Sequence, residues 1–226
     1  MNDRGDAEII YGRRPVAEAK RGRREVRRVW TADDLDPGGL TRLAGSPDHQ
    51  GVVAEVDPYP YADPNALVER PDALVVALDQ VQDPRNLGAV CRSAEAAGAQ
   101  GVAIPSRRSA AITAVACKAS AGAVEHLPVA RVGNLADWLG RAKDAGAWIY
   151  GAEAGAETPH AQADLTGKVV LVLGSEGAGL RRRVAESCDL LVSIPVTGEV
   201  GSLNVSAAAS VLLFEAARQR EAGRHA

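Results

Sequence analysis

The stretch Ile194-Pro-Val-Thr-Gly-Glu-Val-Gly-Ser-Leu-Asn-Val-Ser206 joins a short apolar strand, Leu190 to Pro195, to a long apolar helix. Its loop carries two glycines and a carboxylate, and the turn Ser202-Leu203-Asn204 precedes the helix. Asn204 is a favourable N-cap, because its side-chain oxygen can accept a hydrogen bond from an amide of the first helical turn. Apolar residues fall on nearly every side of the helix, so we expect it to be buried over most of its circumference. Polar groups at the mouth of a buried helix predict a binding site.

The bulk composition indicates a soluble globular protein. The 226 residues suffice for one large domain, or for a large and a small one, with a substantial core. Hydrophobic residues make up 46% of the chain and charged residues 24%, as is usual for such proteins. The start, MNDRGDAEII, is charged where a signal peptide needs an apolar run, and no segment is apolar over the width of a bilayer. We therefore expect a cytoplasmic protein without a membrane segment.

Cysteine and histidine are sparse, and their spacing matches no ligand set. We expect reduced core thiols, with no disulfide framework and no metal site. The residues concerned are Cys91, Cys117, Cys188, His49, His126, His160 and His225.

The net charge of −3 hides a basic segment near the start. Between Arg13 and Arg28 lie eight basic and two acidic residues, a net charge of +6, which leaves −9 for the rest of the chain. A basic front on an acidic body favours contact with a polyanion. On charge alone, a solvated arginine-rich helix face explains the segment nearly as well.

Prolines divide the chain into two parts. Four prolines between residues 58 and 71 resist helix and sheet alike, so we place a linker at 57–71, between a small domain at 1–56 and a larger one at 72–226. In the small domain we expect an apolar start at Ile9 to Tyr11, a helix over Pro15–Arg24, a strand over Glu25–Trp30, a turn at Asp36–Gly39, one helical turn over Leu40–Ala44 and a strand over Gly51–Val56.

Strands and helices alternate in the larger part, which predicts an α/β fold with a largely parallel sheet and ligands at the carboxyl ends of its strands. The expected strands are Leu74–Leu78, Gly101–Ile104, Val124–Val132, Ala147–Gly151, Lys168–Leu173 and Leu190–Pro195. The expected helices are Asn86–Ala97, Thr113–Ala121, Asn134–Ala145, one from about Leu180, and the last one.

A polar turn follows the first of these buried strands. Asp83-Pro84 turns the chain, Asn86 stands where a helix starts, and Arg92 lies six residues further on among apolar neighbours. A cation in packed surroundings needs a partner, and a phosphate would serve. In the alternative interpretation, Asn86 is a helix cap and Arg92 an ordinary surface residue.

A glycine-rich turn follows a later strand, in the sequence Leu173-Gly-Ser-Glu-Gly-Ala-Gly179. Its spacing matches neither a dinucleotide-binding fingerprint nor a P-loop. Glycines let a ligand approach the main chain closely. Glu176 either binds a cation or a ribose hydroxyl, or stabilises the start of the following helix.

Together the three loops resemble the SpoU (TrmH-type) family of RNA ribose 2′-O-methyltransferases, within the SPOUT class. Residues 83–94, 173–179 and 194–206 match its three motifs in order, and the resemblance covers residues 72–220. Tyr11-Gly12-x-x-Pro15-Val16-x-Glu18-Ala19 further resembles the small L30e-like RNA-binding domain of the ribosomal-RNA members. Among these, the RlmB-like group, which methylates a guanosine ribose of 23S ribosomal RNA, is the most similar.

The resemblance implies a trefoil knot near residues 174–205, a homodimer with its site at the interface, and S-adenosylmethionine bound in the knot. It implies that Leu173, Gly174, Ile194 and Leu203 form the cofactor pocket. The basic segment Arg13–Arg28 would then contact RNA.

The resemblance also implies the catalytic set Asn86, Arg92, Glu176, Ser202 and Asn204. Because the pKa of a free arginine exceeds about 12, it is a poor base. We therefore expect Arg92 to grip the target phosphate and polarise the ribose hydroxyl, with the other four fixing Arg92, the ribose and the cofactor.

Two alternatives stay open at this point. Residues 1–56 are short for the family's RNA-binding domain, so transfer RNA or another ribosomal nucleotide is an alternative substrate. A catalytically silent RNA-binding or ribosome-assembly factor on the same fold is the other, although the presence of all the motif residues argues against it. Glu199 has no role that we can assign.

Overall fold

The computed structural model describes residues 7–199 and 201–224, so the start MNDRGD, Val200 in the third motif, His225 and Ala226 lie outside the described residues. Its N-terminal part contains a three-stranded antiparallel sheet in the order β1-β3-β2. The elements of this part are β1 (Glu8–Tyr11), α1 (Arg13–Ala19), β2 (Val26–Thr31), α2 (Pro37–Ala44), a 3₁₀ turn (Pro47–His49) and β3 (Val52–Val56).

Two expectations in this part were wrong. The first helix ends at Ala19, five residues earlier than expected, and the chain turns at residues 20–22 before β2. Residues 37–44, expected as a turn and one helical turn, form a single helix. The reason is its start: Asp36 accepts a hydrogen bond from the Gly39 amide at 2.9 Å, and Pro37 suits the first helical position.

The rest of the chain forms a seven-stranded sheet in the order β6-β5-β4-β9-β7-β10-β8, with parallel pairing throughout. The predicted parallel α/β fold is therefore confirmed. The strands are β4 (Leu74–Asp79), β5 (Gly101–Pro105), β6 (Val129–Val132), β7 (Trp148–Ala152), β8 (Thr158–Pro159), β9 (Val169–Gly174) and β10 (Leu190–Ser193). The helices are α3 (Pro84–Ala96), α4 (Ala114–Ala119), α5 (Leu135–Asp144), α6 (Arg182–Glu186) and α7 (Val205–Arg224), with 3₁₀ turns at Ala66–Val68, Ala123–Glu125 and His160–Gln162.

The strand expected over Val124–Val132 begins only at Val129. Pro128 has no backbone N–H to donate to a sheet ladder, which favours a break at this point. Residues 123–125 instead form a 3₁₀ turn that buries the Glu125 side chain.

The last helix, α7, is less buried than its composition predicts. It packs against α3 and β9 and buries Val205, Ala209, Leu212, Leu213 and Ala216. On its other side Val211 is 37% exposed and Phe214 is 52% exposed. The expectation of burial over most of the circumference is wrong for the single chain, because α3 and the sheet cover one side of the helix. The trefoil knot stays a prediction.

A buried ion pair joins the N-terminal part to the larger part. Arg24 of the N-terminal part donates to both carboxylate oxygens of Glu125, and both side chains are 1% exposed or less. The segment 57–71 also packs against the larger part, since the Tyr59 hydroxyl donates to the carbonyl oxygen of Val124 at 3.0 Å. Residues of both parts contribute to one hydrophobic core. The boundaries 1–56, 57–71 and 72–226 stay a prediction.

Several arginines of the basic segment Arg13–Arg28 form hydrogen bonds or ion pairs with other residues of the protein. Arg23 donates to the Tyr59 hydroxyl, Arg24 to Glu125, and Arg21 and Arg27 pair with Glu18 and Asp57. These contacts reduce the positive charge that Arg13–Arg28 can offer to RNA.

No helix within the described residues is both long and apolar enough to cross a membrane. The described residues also contain no group of three or more His, Cys, Asp or Glu side chains placed to hold a metal ion. The cytoplasmic location stays a prediction.

Candidate functional site

The three motif loops meet at the carboxyl edge of the parallel sheet. The Asn86 side-chain amide donates to Glu176 Oε1 at 2.8 Å. The Asn204 side-chain amide donates to the same oxygen and also to Asn86 Oδ1, the latter at 3.2 Å. One carboxylate oxygen thus holds two amides that lie 118 positions apart in the chain.

Local sequence explains why both asparagines face Glu176. Asp83, not Asn86, caps α3: its Oδ1 accepts from the Arg85 amide at 2.8 Å, and Pro84 occupies the first turn. Asn86 therefore lies inside the first turn with its side chain free to reach the glycine loop. The interpretation of Asn86 as a helix cap is wrong for this reason.

Asn204 has two functions at once. Its Oδ1 accepts from the Ser206 amide at 2.8 Å, which is the capping bond expected at the start of α7. The Ser206 hydroxyl donates to the same oxygen at 2.6 Å. These bonds orient the carboxamide so that its nitrogen points to Glu176.

A cavity of about 700 Å³ opens beside this network, within the roughly 300–1,000 Å³ usual for small-molecule sites. All four predicted cofactor residues, Leu173, Gly174, Ile194 and Leu203, line it, and so do Glu176, Ser202 and Asn204. Apolar side chains with a few polar groups at the mouth suit a ligand with an aromatic base and charged ends.

The glycine loop explains one of these positions. A Cβ on Gly174 would lie 2.1 Å from the main-chain oxygen of Gly179, so any side chain there would collide with the returning backbone. Gly177 and Gly179 have φ of 80° and 66°, which favour glycine. The loop can therefore fold tightly and present its backbone to the cavity.

An acidic anchor for this loop was not predicted. Asp79, buried at the end of β4, accepts from the Arg181 amide at 2.9 Å and from Arg181 Nε at 2.7 Å. The two residues close the base of the loop from 174 to 181. A carboxylate directly after the apolar run Leu74–Leu78 was the available sequence signal.

Glu153 was also missed. It follows β7 and lines the larger cavity, and no hydrogen bond holds its carboxylate within the described part of the chain. Its Oε2 lies 3.3 Å from the position that a Cβ on Gly179 would take. Its place after a strand of the parallel sheet was the signal that could have identified it.

Arg92 does not join the other predicted residues. It is exposed, lies in the lining of neither of the two described cavities, and has no hydrogen-bond or ion-pair partner within residues 7–199 and 201–224. The expectation of packed surroundings was wrong because α3 buries only the side that carries Leu87, Val90 and Cys91. Arg92 lies two helical turns after the exposed Arg85 and therefore on the same outer face.

A second cavity, of about 260 Å³, lies on the other side of the network. It shares Ser175, Glu176 and Val205 with the larger cavity. Its remaining lining residues are Gln80, Val81, Gln82, Asp83 and Asn86.

The described thiols are not suited to nucleophilic catalysis. Burial raises the pKa of Cys117 to about 12 and that of Cys188 to about 12, and it raises the pKa of Cys91 strongly. A thiol in this state is neutral near pH 7, and the thiolate is the nucleophile. The described lining residues of the two cavities include no histidine. The site is therefore built from amides, hydroxyls and carboxylates.

Comparison with known proteins identifies the same region. The model of the SpoU rRNA Methylase family matches residues 73–214. An uncharacterized tRNA/rRNA methyltransferase of Mycolicibacterium vanbaalenii is 43% identical, with 95% of this chain and 77% of the relative covered. A relative described in the same words from Synechocystis is 39% identical, with 94% of this chain covered, and the chain spans 63% of that relative's length.

Solved structures give a consistent result. The SpoU methyltransferase AviRb from Streptomyces viridochromogenes matches with a TM-score of 0.80 and 31% identity over 97% of this chain and 92% of that one. A structure of AviRb in complex with AdoMet has a TM-score of 0.78 and 29% identity, covering 94% and 90%. An RNA 2′-O ribose methyltransferase has a TM-score of 0.79 and 27% identity, covering 93% and 88%. By its motifs, its fold and these matches, the chain belongs to the SpoU rRNA methylase family.

Proposed function

We propose that this protein methylates a ribose 2′-hydroxyl in structured RNA with S-adenosylmethionine, and that its substrate is a guanosine of 23S ribosomal RNA. The observation that carries the proposal is the bonding of Asn86 and Asn204 to one oxygen of Glu176 at the mouth of the larger cavity. The AdoMet complex of AviRb and the match to an RNA 2′-O ribose methyltransferase support it.

The larger cavity is the cofactor site in this proposal. Leu173, Ile194 and Leu203 supply apolar walls for an adenine ring, and the backbone at Gly174 supplies hydrogen-bonding groups. Glu153 offers a negative charge to a cationic cofactor. When bound, S-adenosylmethionine supplies an electrophilic methyl group on a positively charged sulfur.

The reaction forms a bond between the ribose 2′-oxygen and the methyl carbon and breaks the carbon–sulfur bond. The sulfur leaves as a neutral thioether, and the hydroxyl proton is released to solvent. The chain's own residues bring the groups together and exclude water. Glu176 positions both asparagines, and Ser202, two residues before Asn204, lines the cavity. We propose that these residues orient the ribose and the cofactor.

Arg92 then acts from the dimer interface. Because it is exposed and lines neither described cavity of its own chain, we propose that Arg92 of the partner subunit binds the target phosphate and polarises the hydroxyl. The exposed apolar side of α7, with Val211 and Phe214, supports a homodimer, since such side chains favour burial against a partner.

Methyl transfer from labelled S-adenosylmethionine to purified ribosomal RNA and to transfer RNA tests the function, with calorimetric titration of the cofactor alongside. Transfer to ribosomal RNA is the expected result, and transfer to tRNA alone would favour the alternative substrate, which the description of relatives as tRNA/rRNA methyltransferases keeps open. Failure to bind the cofactor would favour a silent RNA-binding factor. Mapping ribose methylation across cellular RNA with and without the protein identifies the nucleotide.

Two variants test the residue assignments. We expect Arg92→Ala and Glu176→Ala to lose methyl transfer while they remain folded dimers. Glu186→Ala, an exposed glutamate in α6, is the matched control. Near-normal turnover of Arg92→Ala with intact cofactor binding would contradict its role. An unfolded Glu176→Ala protein would mean that Glu176 serves the fold and not the reaction.

A further inference from the structure

The smaller cavity has a lining suited to a nucleotide. Accepting the proposed function, we infer that this cavity binds the target nucleotide of the RNA, and that Arg85, Arg107 and Arg108 at its rim bind the adjoining phosphates. The two amides that face the cavity, Gln80 and Gln82, would contact the base edge.

The position of the cavity supports this inference. Ser175, Glu176 and Val205 belong to its wall and also to the wall of the larger cavity. A nucleotide in the smaller cavity would therefore lie next to a cofactor in the larger one, with Glu176 bordering both. A two-substrate transfer needs this adjacency, because the reacting atoms must come within about 3–3.5 Å of each other.

Two side-chain amides of the smaller cavity also support the binding of a nucleotide there. Within the described ranges, the side chains of Gln80 and Gln82 make no hydrogen bond to the protein. Gln80 also has a φ of 60°, a left-handed backbone conformation that is unusual for a residue with a side chain. A carboxamide offers both a donor and an acceptor, which suits the edge of an unstacked base.

The rim carries positive charge without acidic partners. The loop after β5 docks directly on the cavity wall, since the Ala110 amide and the Ser109 hydroxyl donate to the carbonyl oxygen of Val81 at 2.8 and 3.3 Å. This loop displays Arg107 and Arg108, both exposed. Neither pairs with an acidic side chain in the described parts of the chain.

Arg85 adds to this charge from the first turn of α3. Its backbone amide donates to the side chain of Asp83, which lines the cavity. Its own side chain is exposed and has no ion-pair partner among the described residues. In contrast, Arg21, Arg24 and Arg27 of the basic N-terminal segment are paired with carboxylates. The rim therefore holds three cations close to the cavity that no carboxylate of the described chain neutralises, and such cations suit the binding of phosphates.

Binding of small probes tests the pocket separately from methyl transfer. Saturation-transfer NMR of the full chain is measured with the four nucleoside 5′-monophosphates. We expect transfer to at least one of them, reduced in Gln82→Leu and in Arg107→Glu. Arg141→Glu, an exposed arginine of α5 without an acidic partner in the described chain, is the matched control and should behave like the wild type. No transfer to any monophosphate, or equal transfer in all variants, would overturn the inference.

RNA binding gives the second measurement. We expect Arg107→Glu to weaken binding of purified ribosomal RNA by roughly tenfold and to reduce the salt slope by about one, as loss of a phosphate contact does. The affinity for S-adenosylmethionine should not change. Unchanged RNA affinity and salt slope would overturn the inference even if the wild type methylates RNA. A further outcome is that the variants lose binding of both mononucleotides and RNA although the wild type methylates neither ribosomal RNA nor transfer RNA. In that case the nucleotide pocket is supported and the proposed function is wrong.

Discussion

At the scale of single residues, the carboxylate of Glu176 joins two loops that are far apart in the chain. Hydrogen bonds to a charged group are stronger than bonds between neutral groups. Glu176 Oε1 accepts from both Asn86 and Asn204, so losing it frees two loops together. The network therefore acts as a positioning device whichever atom finally accepts the proton.

Glu153 gives a residue-scale prediction. We expect Glu153→Gln to weaken S-adenosylmethionine binding by roughly tenfold, equal to about 1.4 kcal/mol, because the amide keeps the shape but not the charge that faces a cationic ligand. Calorimetric titration measures the effect. Glu157→Gln, an exposed glutamate four residues later, is the control. A cofactor affinity equal to that of the wild type would show that Glu153 does not face the cofactor.

Single residues also show where sequence reasoning succeeded and failed. Asn86, Glu176 and Asn204 lie together, as expected for loops that follow strands of one parallel sheet, and their catalytic role stays a prediction. Arg92 was placed in packed surroundings, although only one side of α3 is covered. Asp79 and Glu153 were missed because they belong to no motif. Only the fold brings Asp79 to Arg181 and places Glu153 in the lining of the larger cavity.

At the scale of elements, the ion pair of Asp79 and Arg181 defines the glycine loop. We expect Asp79→Asn to weaken cofactor binding by about tenfold, since a neutral amide bonds the guanidinium less strongly and the loop moves more freely. Cofactor titration and the melting temperature are the measurements. Asp72→Asn, in an exposed pair with Arg70 near the start of the same strand, is the control. Wild-type affinity in Asp79→Asn would contradict the anchoring role.

The C-terminal helix gives a prediction for pH. The guanidinium of Arg218 and the amide of Gln219 lower the pKa of Glu215 from 4.5 to about 2. Gln219 in turn bonds the backbone at Ala163 and Leu165, so this cluster fastens α7 to the chain before β9. Because the folded pKa is depressed, the stabilisation is present above about pH 4.5 and is lost as the pH falls towards 2.

Calorimetry at pH 5 and pH 3 measures this contribution. Between these two values, the wild type should lose more in melting temperature than Glu215→Gln does, since the variant has no carboxylate to protonate at that position. An equal loss in both proteins would show that Glu215 contributes nothing to the pH dependence.

At the scale of the whole molecule, the buried pair of Arg24 and Glu125 connects the N-terminal part to the larger part. We expect Arg24→Met to destabilise the protein by about 3–5 kcal/mol, because it leaves a buried carboxylate without its partner. Thermal or urea unfolding gives the value. Arg21→Met, which breaks an exposed pair with Glu18, is the matched control and should cost far less, because water screens a pair at the surface.

A double variant, Arg24→Met with Glu125→Leu, separates the two contributions. It should recover much of the lost stability, since it removes the buried charge as well as its partner. If Arg24→Met were no less stable than Arg21→Met, the pair would not hold the two parts of the chain together.

The exposed apolar side of α7 predicts the oligomeric state. We expect light scattering to show a dimer for the wild type and a monomer, or a weaker dimer, for Phe214→Gln. Phe214 is 52% exposed in the single chain, so its replacement should leave the fold intact. Trp148→Gln changes an aromatic residue of similar exposure, 53%, on a different element and should remain dimeric. A dimer of unchanged strength in Phe214→Gln would place the interface elsewhere.

The sequence by itself determined the alternation of strands and helices, the parallel sheet and the loops that carry Asn86, Glu176 and Asn204. Apolar runs and turn residues report the local burial of an element, and a parallel sheet places the carboxyl ends of its strands along one edge. These two facts were enough to locate the candidate site.

Only the tertiary structure decided which charges remain free. Arg24 forms a buried ion pair, whereas Arg92 and Arg107 are exposed to solvent. The residues next to each arginine in the sequence do not predict which of them is buried. The physical reason is that the partner of a charged side chain depends on how distant elements pack, as Glu125 lies 101 positions from Arg24. The exposed side of α7 and the cavity lined by Gln80 and Gln82 likewise exist only once the helices have packed on the sheet.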